Sequence, residues 1–158
     1  MAPMLPRTYD NQDCSIARSL ELVGDRWTFL VIREAFIGTR RFEDYQRNLG
    51  CARNVLTDRL SRLVEAGILR KVPYQERPAR YEYRLTRKGV ELWPAMMALM
   101  KWGDRHMAPE GPPVRILHAD CGGELDARLH CDRCGAELGP NDVYAEPGPG
   151  LAERAGAA

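Results

Sequence analysis

Two sets of residues have types and spacings that could do chemistry. The first is His118, Cys121, Cys131 and Cys134. Two residues separate His118 from Cys121, two separate Cys131 from Cys134, and nine lie between Cys121 and Cys131. Paired donors at this spacing sit on tight turns, and two such pairs close a tetrahedral zinc site of the ribbon kind. Gly122, Gly123 and Gly135 follow the pairs and supply the positive φ that such turns take. Four protein ligands would leave the ion no open position, so its expected role is structural. So short a segment has almost no core of its own, and structural zinc contributes about 10–16 kcal/mol to folding in small finger peptides. His130, beside Cys131, and Asp120 compete with His118 for the fourth place.

The second set lies in RNVLTDRLSR, residues 53–62. Leu56, Leu60, Leu63 and Val64 recur at helical spacing and form one apolar stripe. Arg53, Asn54, Thr57, Asp58 and Arg62 lie in the first turn or off that stripe. Such side chains read base edges in the major groove of DNA. Arg donates twice to guanine, Asn pairs twice with adenine, Thr touches a thymine methyl and Asp accepts from cytosine N4. Arg53, Asn54, Thr57 and Asp58 are the expected base contacts. Arg41, Arg62, Arg77 and Arg80 are expected on phosphate, with Arg77 and Arg80 also able to reach a minor groove. Cys14 opens a helix, where the dipole favours a thiolate, and is a candidate redox or electrophile sensor. Cys51 reads more simply as a small buried apolar residue. No nucleophile–base pair, phosphate-cradling Gly loop or open metal site is visible, so an enzyme is not expected.

Elements must position these residues. Met1 to Asp13 is polar and expected to be flexible. A helix runs from about Cys14 to Val23 and stops at Gly24. Asp25 is expected to N-cap the next helix, which ends at Gly38 and is apolar on most sides, hence buried. Phe42, Tyr45 and Leu49 mark a short helix, Gly50 a turn, and Ala52 to Glu65 the helix carrying the second set. Alternating strands follow over 68–74 and 80–86, with Pro73 and Pro78 bracketing the tip of a hairpin. Thr86 is expected to cap a single long helix to Met107, kinked at Pro94. Its Leu, Met and Trp content exceeds what one face can bury, which points to a dimer interface. A Pro- and Gly-rich linker covers 108–113, the zinc-ribbon-like unit 114–144 and a disordered tail 145–158. The fold class is mainly α with a small β-hairpin wing: a winged helix-turn-helix domain over 14–107 plus a short ribbon.

Composition agrees with this division. The net charge is only +1, yet residues 14–107 hold 18 Lys+Arg against 11 Asp+Glu, and residues 108–158 hold 4 against 9. A basic domain suits a phosphate-binding surface. The N-terminus has no apolar signal region, and no apolar run approaches the roughly 20 residues of a membrane span, so a cytoplasmic location is expected. Clustered cysteines in a reducing compartment favour metal or redox chemistry over disulfides.

The segments CSIARSLELVGDRWTFLVIREAFIGTRRFEDYQRNLG, VLTDRLSRLVEAGIL and RYEYRLTRKG resemble the HxlR-type winged-helix transcriptional regulators of bacteria. The likeness covers about Cys14 to Gly103. It rests on a Cys opening the first helix, Gly-x-Arg-Trp at Gly24 to Trp27, Leu-Thr-x-Arg-Leu at Leu56 to Leu60, and Tyr-x-Leu-Thr-x-x-Gly at Tyr83 to Gly89. The resemblance implies a homodimer formed by the first and last helices, and operator binding. It also implies, for some members, sensing of quinones, aldehydes or disulfide stress through the Cys that matches Cys14. The segment from His118 lies outside it. The expected function is sequence-specific binding of double-stranded DNA by a dimer on a palindromic operator. One rival is a redox-, metal- or small-molecule-responsive sensor acting through Cys14 or the Cys cluster. Another is a protein-interaction module with a structural zinc ribbon.

Overall fold

A computed structural model describes residues 8–125, 128, 133–137 and 141. Its elements are α1 (Ser15–Val23), α2 (Thr28–Phe36), α3 (Phe42–Leu49), α4 (Arg53–Glu65), β1 (Leu69–Gln75), β2 (Arg80–Leu85), α5 (Arg87–Val90) and α6 (Trp93–Met107). The apolar stripe of α4 needs a partner, and α2 supplies it. Val31 and Ile32 of α2, Tyr45 of α3, and Leu56 and Leu60 of α4 are fully buried together, with Leu63, Ile68 and Leu69 extending the same core. Burying a side chain of this size stabilises by roughly 1.5–3 kcal/mol, so these residues decide how the helices pack. Cys51 also lies in this core, as its size predicts.

The two strands pair antiparallel, with Leu69 opposite Leu85 and Lys71 opposite Tyr83, and the register shifts between Pro73 and Gln75. A further bridge joins Arg41 to Glu82, and the Tyr83 N–H donates to the Arg40 carbonyl at 2.8 Å. The start of α3 is thereby tied to the middle of β2. This is the expected winged helix-turn-helix arrangement, with strand ends within a residue of those read from alternation.

The end of α4 is locked from two directions. Gly67 takes φ 68°, a conformation costly for residues with a Cβ. The Ile68 N–H then donates to the Leu63 carbonyl at 2.9 Å and that of Gly67 to Val64 at 3.0 Å, the double bond of a Schellman stop. From the far end of the hairpin, Thr86 Oγ1 donates to the Gly67 carbonyl at 2.6 Å and accepts from the Gly89 N–H at 3.1 Å. Lys88 Nζ donates to the Ala66 carbonyl at 2.8 Å. Thr86 does cap a helix, as expected.

Two expectations are corrected. The single kinked helix after the wing is two helices, interrupted at Glu91 and Leu92. Pro94 occupies the second position of α6, where no intrahelical N–H bond is lost. Continued unbroken, its ring would meet the carbonyl of Val90 one turn back. Asp25 does not cap α2 with its side chain. Its backbone carbonyl accepts from the Thr28 N–H at 3.0 Å, Trp27 occupies the cap position, and the carboxylate is used elsewhere.

The chain divides into two compact units, one up to Met96 and the other from Met97. In the second, Leu117 and Glu124 form an antiparallel bridge around a tight turn. His130 and Cys131 lie outside the described residues, as do residues 1–7 and the expected tail at 145–158. Among the described residues no helix is long and apolar enough to cross a membrane.

Gly89 has no room for a side chain: an added Cβ would sit 2.3 Å from the Ile68 carbonyl oxygen and 2.9 Å from Leu85 Cδ2. Gly89→Ala should therefore destabilise by about 1–3 kcal/mol, read as a lower urea midpoint at unchanged m-value.

Candidate nucleic-acid interface

Helix α4 hides Leu56, Leu60 and Leu63, so its other face must point outward. Arg53, Asn54, Thr57 and Asp58 are exposed and, with Ser61, line one open concavity. The Arg53 guanidinium stands over the Phe42 ring, 4.6 Å from its centroid, a cation–π contact that limits its swing. Thr57 Oγ1 donates to the Arg53 carbonyl at 2.9 Å, which commits its proton to its own helix. Asn54 makes no side-chain hydrogen bond among the described residues, so its amide donors and acceptor are available.

Asp58 differs from these three. Its Oδ2 lies 2.5 Å from Arg59 Nη1 and 3.9 Å from Arg62 Nη1. Arg59 Nη2 lies 2.6 Å from Asp25 Oδ2, with Arg62 Nη1 3.6 Å from the same oxygen. Asp25, Arg59, Asp58 and Arg62 thus form a chain of alternating charge that fastens α4 to the turn before α2. Asp58 is already supplied with donors, and a cytosine amine would have to displace them. Arg62 is likewise shared between two carboxylates. Neither Arg59 nor Asp25 was expected at the site. Their pairing spans more than thirty positions of chain and leaves no periodic signal.

Arg41 sits against the outer half of the wing, 4.6 Å over the Tyr74 ring and with Nε 3.9 Å from Glu82 Oε1. Arg77 and Arg80 are exposed at the hairpin tip and make no ion pair among the described residues. Both are unencumbered cations, as a phosphate contact requires.

A buried carboxylate supports this face from behind. Glu34 accepts from Arg33 Nη2 at 2.9 Å, Thr39 Oγ1 at 2.9 Å and Asn48 Nδ2 at 2.8 Å. It joins the end of α2, the following turn and the end of α3. Burial pushes its pKa up, but the bonds from Asn48, Arg33 and Thr39 and the Arg33 charge outweigh that and hold it below the usual 4.5. Glu34 had read as part of an apolar helix; only its placement beside Asn48 reveals the role. Close by, the Tyr45 ring meets Tyr83 edge-on at 6.4 Å. The Tyr45 hydroxyl is buried without a hydrogen-bond partner among the described residues. Burial, then the charge of Glu34, pushes its pKa far up.

Of the sulfur residues, Cys14 occupies the N-cap position of α1, exposed, with no cap bond from its side chain. In the second unit His118 Nδ1 lies 3.2 Å from Cys121 Sγ, and Cys134 is an exposed thiol. Among the described residues no three His, Cys, Asp or Glu side chains gather as a metal cluster. Cys131, which the sequence places in the same set, lies outside them.

The HxlR-like helix-turn-helix family model matches residues 22–111, more than half of the chain. The chain belongs to the HxlR-like helix-turn-helix family. This HxlR-like protein is 51% identical over 138 residues to the uncharacterized HTH-type transcriptional regulator Rv3095 of Mycobacterium tuberculosis, covering 87% of each chain. A matched stretch of that length must include residues 21–138 of this chain, so the likeness runs past the helix-turn-helix and through the Cys-containing segment. The crystal structure of PA1607, a transcription factor candidate, superposes with TM-score 0.78 at 36% identity, over 87% of this chain and 97% of that one. The redox regulator HypR in its reduced form superposes with TM-score 0.55 at 26% identity, over 58% of this chain and 92% of that one. The protein is a transcriptional regulator of a DNA-binding family, and the relatives named here are regulators, not enzymes.

Because its folded pKa is depressed, Glu34 contributes stability that is complete above the unfolded carboxylate pKa and is lost as pH falls through the folded one. Glu34→Gln should destabilise by about 1–3 kcal/mol at pH 7. The gap from wild type should close as pH drops below the usual 4.5, as measured by urea unfolding across pH. Tyr45→Phe removes a hydroxyl that has no described partner. It should leave the urea midpoint unchanged or raise it by up to about 1 kcal/mol of stability, and a loss above that would show the hydroxyl to be bonded.

Proposed function

We propose that this HxlR-like regulator binds, as a homodimer, an imperfectly palindromic operator in double-stranded DNA. The observation that carries the reading is the exposed face of α4. Arg53, Asn54 and Thr57 stand outward on a helix whose opposite residues, Leu56 and Leu60, have no exposed surface. In the proposed complex α4 enters the major groove, and the α4 helices of two protomers lie in grooves about 34–36 Å apart. Asn54 pairs with adenine and Arg53 with guanine, while Arg77 and Arg80 reach the backbone beside the groove. Arg41 and Arg62 contribute phosphate contacts from the flanks. Asp58 acts chiefly by orienting Arg59 and Arg62.

Pairing of two copies is supported by apolar residues left in solvent on α1 and on α6. Ile16 is 69% exposed on α1, and Trp102 is 55% exposed on α6. Surfaces of this kind suit a self-complementary interface. The regulator acts in the cytoplasm, where its operator is.

A second reading, redox control, is favoured by one observation: Cys14 is an exposed thiol at the start of α1. Under that reading diamide lowers operator affinity of the wild type and leaves Cys14→Ser unaffected.

On a defined operator, Arg77→Ala should weaken binding to specific and random DNA alike and lower the salt slope by about 1. Asn54→Ala should cost about 1–3 kcal/mol at a single base position. Equal loss on both DNAs for Asn54→Ala would remove the readout role, and no salt dependence at all would remove DNA binding.

A further inference from the structure

The segment after the linker is an internal repeat. Residues 115–125 and 128–138 carry one pattern thirteen positions apart. In that register Arg115 matches Arg128, Cys121 matches Cys134, Gly122 matches Gly135, and Glu124 matches Glu137. The described parts of both copies share two conformational marks. Gly122 and Gly135 take nearly the same positive φ, 71° and 73°. The matched ion pairs are both made: Arg115 Nε to Glu124 Oε1 at 2.9 Å, and Arg128 Nη1 to Glu137 Oε2 at 3.1 Å. The first copy is one turn closed at its base by an Arg–Glu pair, and the second copy makes the matching pair.

The register also says which side chains are equivalent. His118 matches Cys131, so the two ligand-type pairs, His118 with Cys121 and Cys131 with Cys134, occupy the same places in their repeats. His130 matches Leu117, a bridge position, and Asp120 matches Arg133, which cannot be a ligand. The first copy already has the form of a metal knuckle. The His118 N–H donates to the Gly123 carbonyl at 2.8 Å, and the Gly122 N–H donates back to His118 at 2.9 Å. These bonds hold Nδ1 3.2 Å from Cys121 Sγ. Tetrahedral zinc, with bonds of about 2.0–2.1 Å to nitrogen and 2.3 Å to sulfur, sets that pair about 3.6 Å apart. The pair needs only a small opening to admit the ion. Asp120 Oδ2 lies 3.5 Å from Nε2, the other ring nitrogen. That is the place of a carboxylate that orients a liganding imidazole.

We propose that the two knuckles bind one zinc-class divalent ion through His118 Nδ1 and the thiolates of Cys121, Cys131 and Cys134, with Asp120 positioning His118 and His130 taking no part. Three thiolates and one imidazole select a soft, tetrahedral ion over magnesium or calcium. The first turn is formed, and in the proposed complex the ion joins the second pair to it, so that metal affinity is part of the folding free energy of this segment.

The test uses the full chain, purified under reducing conditions and stripped of metal. Cobalt(II) titration is read in the visible spectrum, and zinc affinity by competition with a chromophoric chelator. The expected result is one ion per chain and the intense ligand-field bands of tetrahedral cobalt bound by thiolates. His118→Ala should weaken zinc by more than about 100-fold, beyond the cost of losing an outer-shell partner. His130→Ala should leave affinity and spectrum unchanged. Far-ultraviolet circular dichroism of each variant monitors the helices of the first unit, so that general unfolding is recognised separately. Absence of stoichiometric metal in the wild type, retention of wild-type affinity by His118→Ala, or loss of affinity in His130→Ala each overturns the assignment.

Discussion

The structure depends on the burial of one stripe of leucines. Leu56, Leu60 and Leu63 have almost no exposed surface, and their burial against α2 and Tyr45 is worth several kcal/mol in a domain whose net stability is of that order. Because side chains of a helix repeat every 3.6 residues, hiding these three leaves α4 no choice about where Arg53, Asn54 and Thr57 point. The hydrophobic core and the outer face of α4 proposed for DNA are therefore one constraint seen from two sides. A change that rotated α4 would cost core packing before it altered the outer face.

Electrostatics refine what packing sets. Charges on the outer side of α4 are not all equivalent: Asp58, Arg59 and Arg62 are occupied with one another and with Asp25. Arg53 and Asn54 are left to meet a ligand. Exposed ion pairs contribute little stability individually, so the value of this chain lies in fixing the approach of α4 to the turn before α2. Glu34 does similar work inside, where a half-satisfied carboxylate would be costly. Three donors from α2, the turn and α3 converge on it, and that convergence holds the first helix of the helix-turn-helix in place. The wing is attached through the Arg41–Glu82 bridge and through the Thr86 and Lys88 bonds to the end of α4, which couples hairpin position to α4.

The second unit follows different physics. Beyond α6 it has little apolar material to bury, and there its described order comes from turns, two matched ion pairs and a His–Cys contact. A proposed metal would supply there what leucines supply in the first unit. The similarity to the mycobacterial relative runs past the first unit and through residue 138.

Much of the fold was legible in the sequence because it is written in local periodicity. The leucine stripe of α4, the alternation of the wing, the stops at Gly50 and Gly67 and the cap at Thr86 each depend on residues within a turn or two of one another. The exposed face of α4 followed directly from the stripe. What tertiary structure decided was partnership across distance. Asp25 looked like a helix cap and became the anchor of Arg59. Asp58 looked like a base reader, and only the structure shows that it also bridges Arg59 and Arg62. Glu34 looked like an intruder in an apolar helix and became the joint between α2 and α3. The break before Pro94 stood in between: the residue marked a disturbance, but only the packed chain settled that it begins a new helix. Local pattern carries the energetics of i to i+4 neighbours. Which distant charges meet depends on how the helices cross, and that is settled only when the core is assembled.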